Sequence, residues 1–106
     1  MAEHTRIDRS FQTDPQIRQL REQISDADRS LVETINTRLK LVARLKRYKQ
    51  ERGLEFVDLE REEWMLNYLM RANRGPLSAD GLRELFTEIL DLTKREVARA
   101  EEPKAS

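Results

Sequence analysis

Residues 14–53 read DPQIRQLREQISDADRSLVETINTRLKLVARLKRYKQERG, and their punctuation decides the fold. Asp14 supplies an N-cap carboxylate and Pro15 a ring whose φ is already helical, a strong start signal. From there Ile17, Leu20, Ile24, Ala27, Leu31, Ile35, Val42 and Leu45 recur at helical spacing with no internal Gly or Pro, until Gly53 offers a stop. The predicted helix is roughly 37 residues, or about 55 Å at 1.5 Å per residue.

The remainder of the chain reads as two shorter helices. Residues 53–57 form a loop, and Asp58 caps a helix carrying Trp64, Met65, Tyr68 and Leu69 that ends near residues 73–76. Ser78 caps a third, with Leu82, Leu85, Phe86, Ile89, Thr93 and Val97 on one face. Residues 1–13 show no periodicity and read as a flexible arm, residues 14–100 as the helical domain, and residues 101–106 as a polar tail. No internal repeat or low-complexity tract interrupts this order.

Composition agrees with an all-α fold. The chain has 106 residues, enough for one domain, and only three Gly and three Pro, too little turn material for a many-stranded sheet. No run approaches the roughly 20 apolar residues that cross a bilayer, and the N-terminus has no signal-peptide core, so a soluble cytoplasmic protein is expected. Twenty Lys plus Arg balance twenty Asp plus Glu, which argues against broad binding to nucleic-acid phosphates. With no Cys and one His, disulfides and thiolate catalysis are excluded, and no metal site is expected.

A first helix this long leaves about half of its apolar stripe uncovered by two shorter partners. A homodimer is therefore expected, because a patch of that size marks an association surface. Charges inside the stripe are the anomaly. At about 100° per residue, Arg38 and Lys49 differ by about 20° and both fall among Ile24, Leu31, Ile35 and Val42, with Arg21 at the border. Such side chains can snorkel from a helix edge or pair with acids of the other helices. Two on one narrow arc suit a cavity for a small molecule bearing two carboxylates better. Asp58, Arg61 and Glu62 add polar groups at the start of the second helix, where capping and the helix dipole also account for them. Thr93 lies on the apolar face of the third helix, where its hydroxyl can bond back one turn or meet a ligand. The basic run Arg44, Lys46, Arg47, Lys49 and Arg52 reads mostly as a solvated face at the helix C-terminus.

In order along the chain stand Leu20-Arg21-Glu22-Gln23-Ile24-Ser25, Asp28, Arg38, Tyr48-Lys49, Asp58-Leu59-Glu60-Arg61-Glu62 and Asn73-Arg74-Gly75-Pro76-Leu77-Ser78. This order resembles the all-helical chorismate mutases of the AroQ class, from residue 17 to about 99. The resemblance implies an intertwined homodimer in which the first helices pair and each active site draws on both chains. It implies rearrangement of chorismate to prephenate, an intramolecular [3,3] shift that feeds phenylalanine and tyrosine synthesis and uses no cofactor, metal or covalent nucleophile.

Carried over by position, Arg38 and the partner chain's copy of Arg21 would bind the substrate carboxylates, and Lys49 would donate to the ether oxygen. Arg61 would support the carboxylate end, Asp58 and Glu62 would orient the ring hydroxyl, and Thr93 would replace a serine at the carboxylate contact. One departure stands out. Where the family places Gln or Glu as a second donor to the ether oxygen, this chain has Val97. Losing such a donor costs about 2.7 to 4 kcal/mol of transition-state stabilisation. Glu96 is adjacent but about 100° round the helix. The departure implies a slow mutase, one using another donor, or one activated by a shikimate-pathway enzyme. Two alternatives stay open: an isochorismate pyruvate-lyase or amino-chorismate mutase on the same scaffold, and a non-catalytic helical regulatory dimer, against which Arg38 and Lys49 argue.

Overall fold

The computed structural model describes residues 14–101, all helix and short connections. The order is α1 (Pro15–Glu51), α2 (Leu59–Ala72) and α3 (Ala79–Glu101). The expected arm, residues 1–13, and the tail beyond Glu101 lie outside the described residues.

Each helix begins where a short polar side chain takes up orphan backbone donors. Asp14 Oδ1 accepts from the Gln16 amide at 2.8 Å, Asp58 Oδ1 from the Arg61 amide at 3.0 Å, and Ser78 Oγ from the Gly81 amide at 2.9 Å. The ends are equally local in origin. After Glu51 the chain turns through Gly53, whose φ of 70° is open to a residue without a Cβ, and the Leu54 amide closes onto the Lys49 carbonyl at 2.8 Å. α2 stops at Ala72, where the Asn73 side chain takes over. It accepts from the Gly75 amide at 3.0 Å and donates to the Leu77 carbonyl at 2.7 Å, folding the connection to α3.

α3 runs to Glu101, so this residue is helical where a polar tail is expected. An ion pair explains the extra residue: Lys46 Nζ of α1 reaches Glu101 Oε1 at 2.5 Å, and the same ammonium sits 5.3 Å from the centre of the Phe56 ring. A charge tied to the last turn opposes fraying there.

The chain divides into two units, one ending at Thr37 and one starting at Arg38, with α1 running through the boundary. In the first, residues 15–37 are helix, on which Ile17 and Ile35 are half-buried and every other side chain is exposed. In the second, residues 38–51 of α1 join α2 and α3. The buried side chains among the described residues, Leu82, Thr93 and Val97, all belong to α3. α1 has none.

Trp64, which the sequence reads as core or interface, is not in the core of the single chain: it is 49% exposed and stacks on Tyr68 with centroids 5.4 Å apart and planes 3° from parallel. The guanidinium of Arg61 lies 4.5 Å from the indole centre. Successive helical turns thus supply a column of π-faces and a cation that satisfies part of this apolar surface.

Candidate active site

The second unit encloses a cavity of about 120 Å³ between the last turns of α1, the start of α2 and the middle of α3. Val42, Leu45, Phe56, Val57 and Leu90 make its apolar wall. Into it face four cations, Arg38, Lys49, Arg61 and Lys94, against two carboxylates, Asp58 and Glu62, with Thr93 between. The surplus of two positive charges in a partly apolar hollow matches a small dianion.

Arg38 is held from α3. Its Nη1 donates to Thr93 Oγ1 at 2.5 Å, and the hydroxyl in turn donates to the Ile89 carbonyl at 2.6 Å. Of the two readings of Thr93 the structure shows the first, the hydroxyl bonding back one turn, and adds that it offers a lone pair to the arginine. Chained in this way, a half-buried guanidinium keeps one orientation and leaves its other N–H groups for a ligand.

Lys49 lies one turn of helix from Leu45 and donates from Nζ to the Phe56 carbonyl at 3.3 Å. The loop after α1 therefore presents its carbonyl to this ammonium and aims it at the cavity. Asp58 works as the α2 cap through one oxygen, and Arg61, in the same turn, lines the cavity while its guanidinium rests on Trp64. Glu62 Oε2 faces Lys94 Nζ at 3.2 Å, an ion pair bridging α2 and α3.

Six of the eight residues expected at the site, Arg38, Lys49, Asp58, Arg61, Glu62 and Thr93, therefore line one cavity. Arg21 and Val97 do not. Arg21 lies in the first unit, in a strip of helix surface shared with Glu22, Ser25 and Asp26, where a single helix supplies every wall. Val97 is 3% exposed and packs near Leu39, Ala43 and Ala100. Its neighbour Glu96 points to Arg99 in an ion pair within the helix. Among the described residues no group of three or more His, Cys, Asp or Glu is arranged to hold a metal ion.

Lys94 escaped the sequence reading. Next to Thr93 it sits about 100° round α3, off the apolar face, where a lysine looks like solvated surface. Only the packing of α2 against α3 brings it opposite Glu62.

Residues 20–97 match the family model described as chorismate mutase type II. The chain belongs to the chorismate mutase type II family. The bifunctional chorismate mutase/prephenate dehydratase of Pseudomonas aeruginosa is 36% identical over 80 residues, and that of Stutzerimonas stutzeri 34%, each over 71% of this chain and 22% of the relative. The chain thus spans about a fifth of the length of the curated relatives it matches. Chorismate mutase from Thermus thermophilus superimposes in two forms. Form I gives a TM-score of 0.72 at 35% identity, covering 74% of this chain and 98% of that one. Form II gives 0.76 at 32% identity, covering 82% and 99%. This chorismate mutase type II domain thus shares its fold with the Thermus thermophilus enzyme over nearly the whole of that chain.

Proposed function

We propose that the chain rearranges chorismate to prephenate, as a cytoplasmic homodimer whose two sites each use residues of both protomers. The observation that carries the reading is the convergence of Arg38, Lys49, Arg61, Asp58, Glu62 and Thr93 on one cavity within a chorismate mutase type II domain.

The reaction is unimolecular, so the site has two tasks: to hold a flexible dianion in its compact conformer, and to stabilise charge growing on the ether oxygen as its bond to the ring breaks. Arg38, oriented by Thr93, grips one carboxylate. Arg61 swings from Trp64 towards the carboxylate end. Lys49 meets the ether oxygen, where a cation preorganised by the Phe56 carbonyl stabilises the transition state more than the ground state. Glu62 and Asp58 accept from the ring hydroxyl.

Two features support the dimer. Ile24 and Leu31 on α1 are 60% and 62% exposed, a stripe a single chain leaves in water. The cavity of about 120 Å³ is also smaller than ligand sites, which start near 300 Å³. A second protomer laying its α1 across the opening completes the enclosure and brings its Arg21 to the other carboxylate. Val97, packed away from the cavity, favours a slow basal rate, with an activating shikimate-pathway enzyme as the route to a faster one.

The test follows chorismate loss at its ultraviolet band and identifies the product by acid conversion to phenylpyruvate. Prephenate is expected. Release of pyruvate instead makes the protein a lyase on the same scaffold. Neither turnover nor binding of the bicyclic dicarboxylate that mimics the transition state reduces it to a structural module.

A further inference from the structure

Of the four cations lining the cavity, three have partners that leave the cavity carboxylates alone: Arg38 donates to Thr93, Lys49 to a carbonyl, and Arg61 covers an indole. Lys94 is different. Its ammonium sits 3.2 Å from Glu62 Oε2, and the two side chains are 38% and 24% exposed. Glu62 projects from the first turn of α2, and its long side chain must be ordered before its carboxylate can receive a hydroxyl. A glutamate left to itself there spreads over several rotamers.

We propose that Lys94 is a positioning residue of this site, whose ammonium holds the Glu62 carboxylate at the cavity so that its other oxygen is set to accept from the ring hydroxyl of the substrate. The inference rests on the mutase reading, because it takes the hydroxyl of chorismate as the group Glu62 receives.

The hydroxyl sits on the ring carbon beside the one whose C–O bond breaks but itself neither makes nor loses a bond, so its contact acts on ground and transition state alike and appears in KM more than in kcat. For a part-exposed pair, Lys94→Met is expected to raise KM about threefold to fivefold, with kcat within about twofold of the parent. Lys94→Arg keeps the charge and restores KM. In a Glu62→Gln background the same Lys94→Met change has no further effect on KM, since the carboxylate it positions is gone.

The measurement is steady-state kinetics on chorismate for the four members of this cycle and Lys94→Arg, with thermal melting of each and calorimetric binding of the bicyclic dicarboxylate mimic. An unchanged KM in Lys94→Met overturns the proposal. So does an effect of equal size in the Glu62→Gln background, which makes Lys94 a direct ligand of the substrate. A KM rise that tracks a lowered melting temperature and resists rescue by Arg assigns Lys94 to packing and overturns it too. Should the parent bind the mimic without turning over chorismate, the mutase reading fails by itself and the cycle is decided on mimic binding. A parent that neither turns over nor binds overturns both.

Discussion

Residues 14–37 and residues 38–101 are made of the same material, charged amphipathic helix, yet every buried side chain among them belongs to the second. Both segments carry apolar residues at helical spacing. In the second, three helical pieces turn their stripes on one another and enclose a cavity; in the first, the stripe of Leu20, Ile24 and Leu31 is left uncovered by the single chain. The contrast separates helix formation from burial. Caps, propensity and an unbroken register suffice for the former, whereas the latter needs a second surface.

The sharpest way to break the comparison is to disable the cavity and leave the helices alone. Lys49→Ala removes the cation that the proposed mechanism sets against the ether oxygen while deleting no buried apolar surface. Turnover is expected to fall about 100- to 1,000-fold with helix content and melting temperature unchanged. A rate within about tenfold of the parent would remove Lys49 from the reacting bond.

The next blow falls on the first region. Leu31→Asp places a carboxylate in the middle of the exposed stripe, a change that is harmless in a monomer and costly in a dimer seam. Sedimentation is expected to show the dimer dissociation constant rising at least about 100-fold. Under the proposed sharing of Arg21 between protomers, activity should fall with it. If the dimer holds, another surface joins the protomers.

Val97→Gln is the smallest change and sharpens the boundary of the cavity. Restoring an amide at this position is expected to raise kcat by severalfold. Burying it where valine is 3% exposed costs about 1 to 3 kcal/mol, which lowers the melting temperature by several degrees. An unchanged kcat would place the second donor elsewhere in the site.

Much of the fold is legible in the sequence because its determinants are local. Asp14, Asp58 and Ser78 announce helix starts by side-chain chemistry that acts within three residues, and Gly53 announces a stop by a φ of 70°. The inward arc of Arg38 and Lys49 follows from angle arithmetic on a single helix. Asp58, Arg61 and Glu62 follow from an order of motifs, and the cavity gathers them. Glu101 reads as tail because the lysine that holds it lies 55 residues earlier.

By itself, the sequence determined three helices, their caps, the long amphipathic first helix and the cations on its inner arc, since each depends on neighbours a turn or less away. Only the tertiary structure decided that Thr93 orients Arg38, that Lys94 meets Glu62, that Val97 packs outside the cavity and that Trp64 stays at the surface. Those outcomes depend on how the last turns of α1, α2 and α3 are set against one another. A distance of 3.2 Å between Glu62 and Lys94, which stand on consecutive helices, is fixed by packing, which no local periodicity encodes.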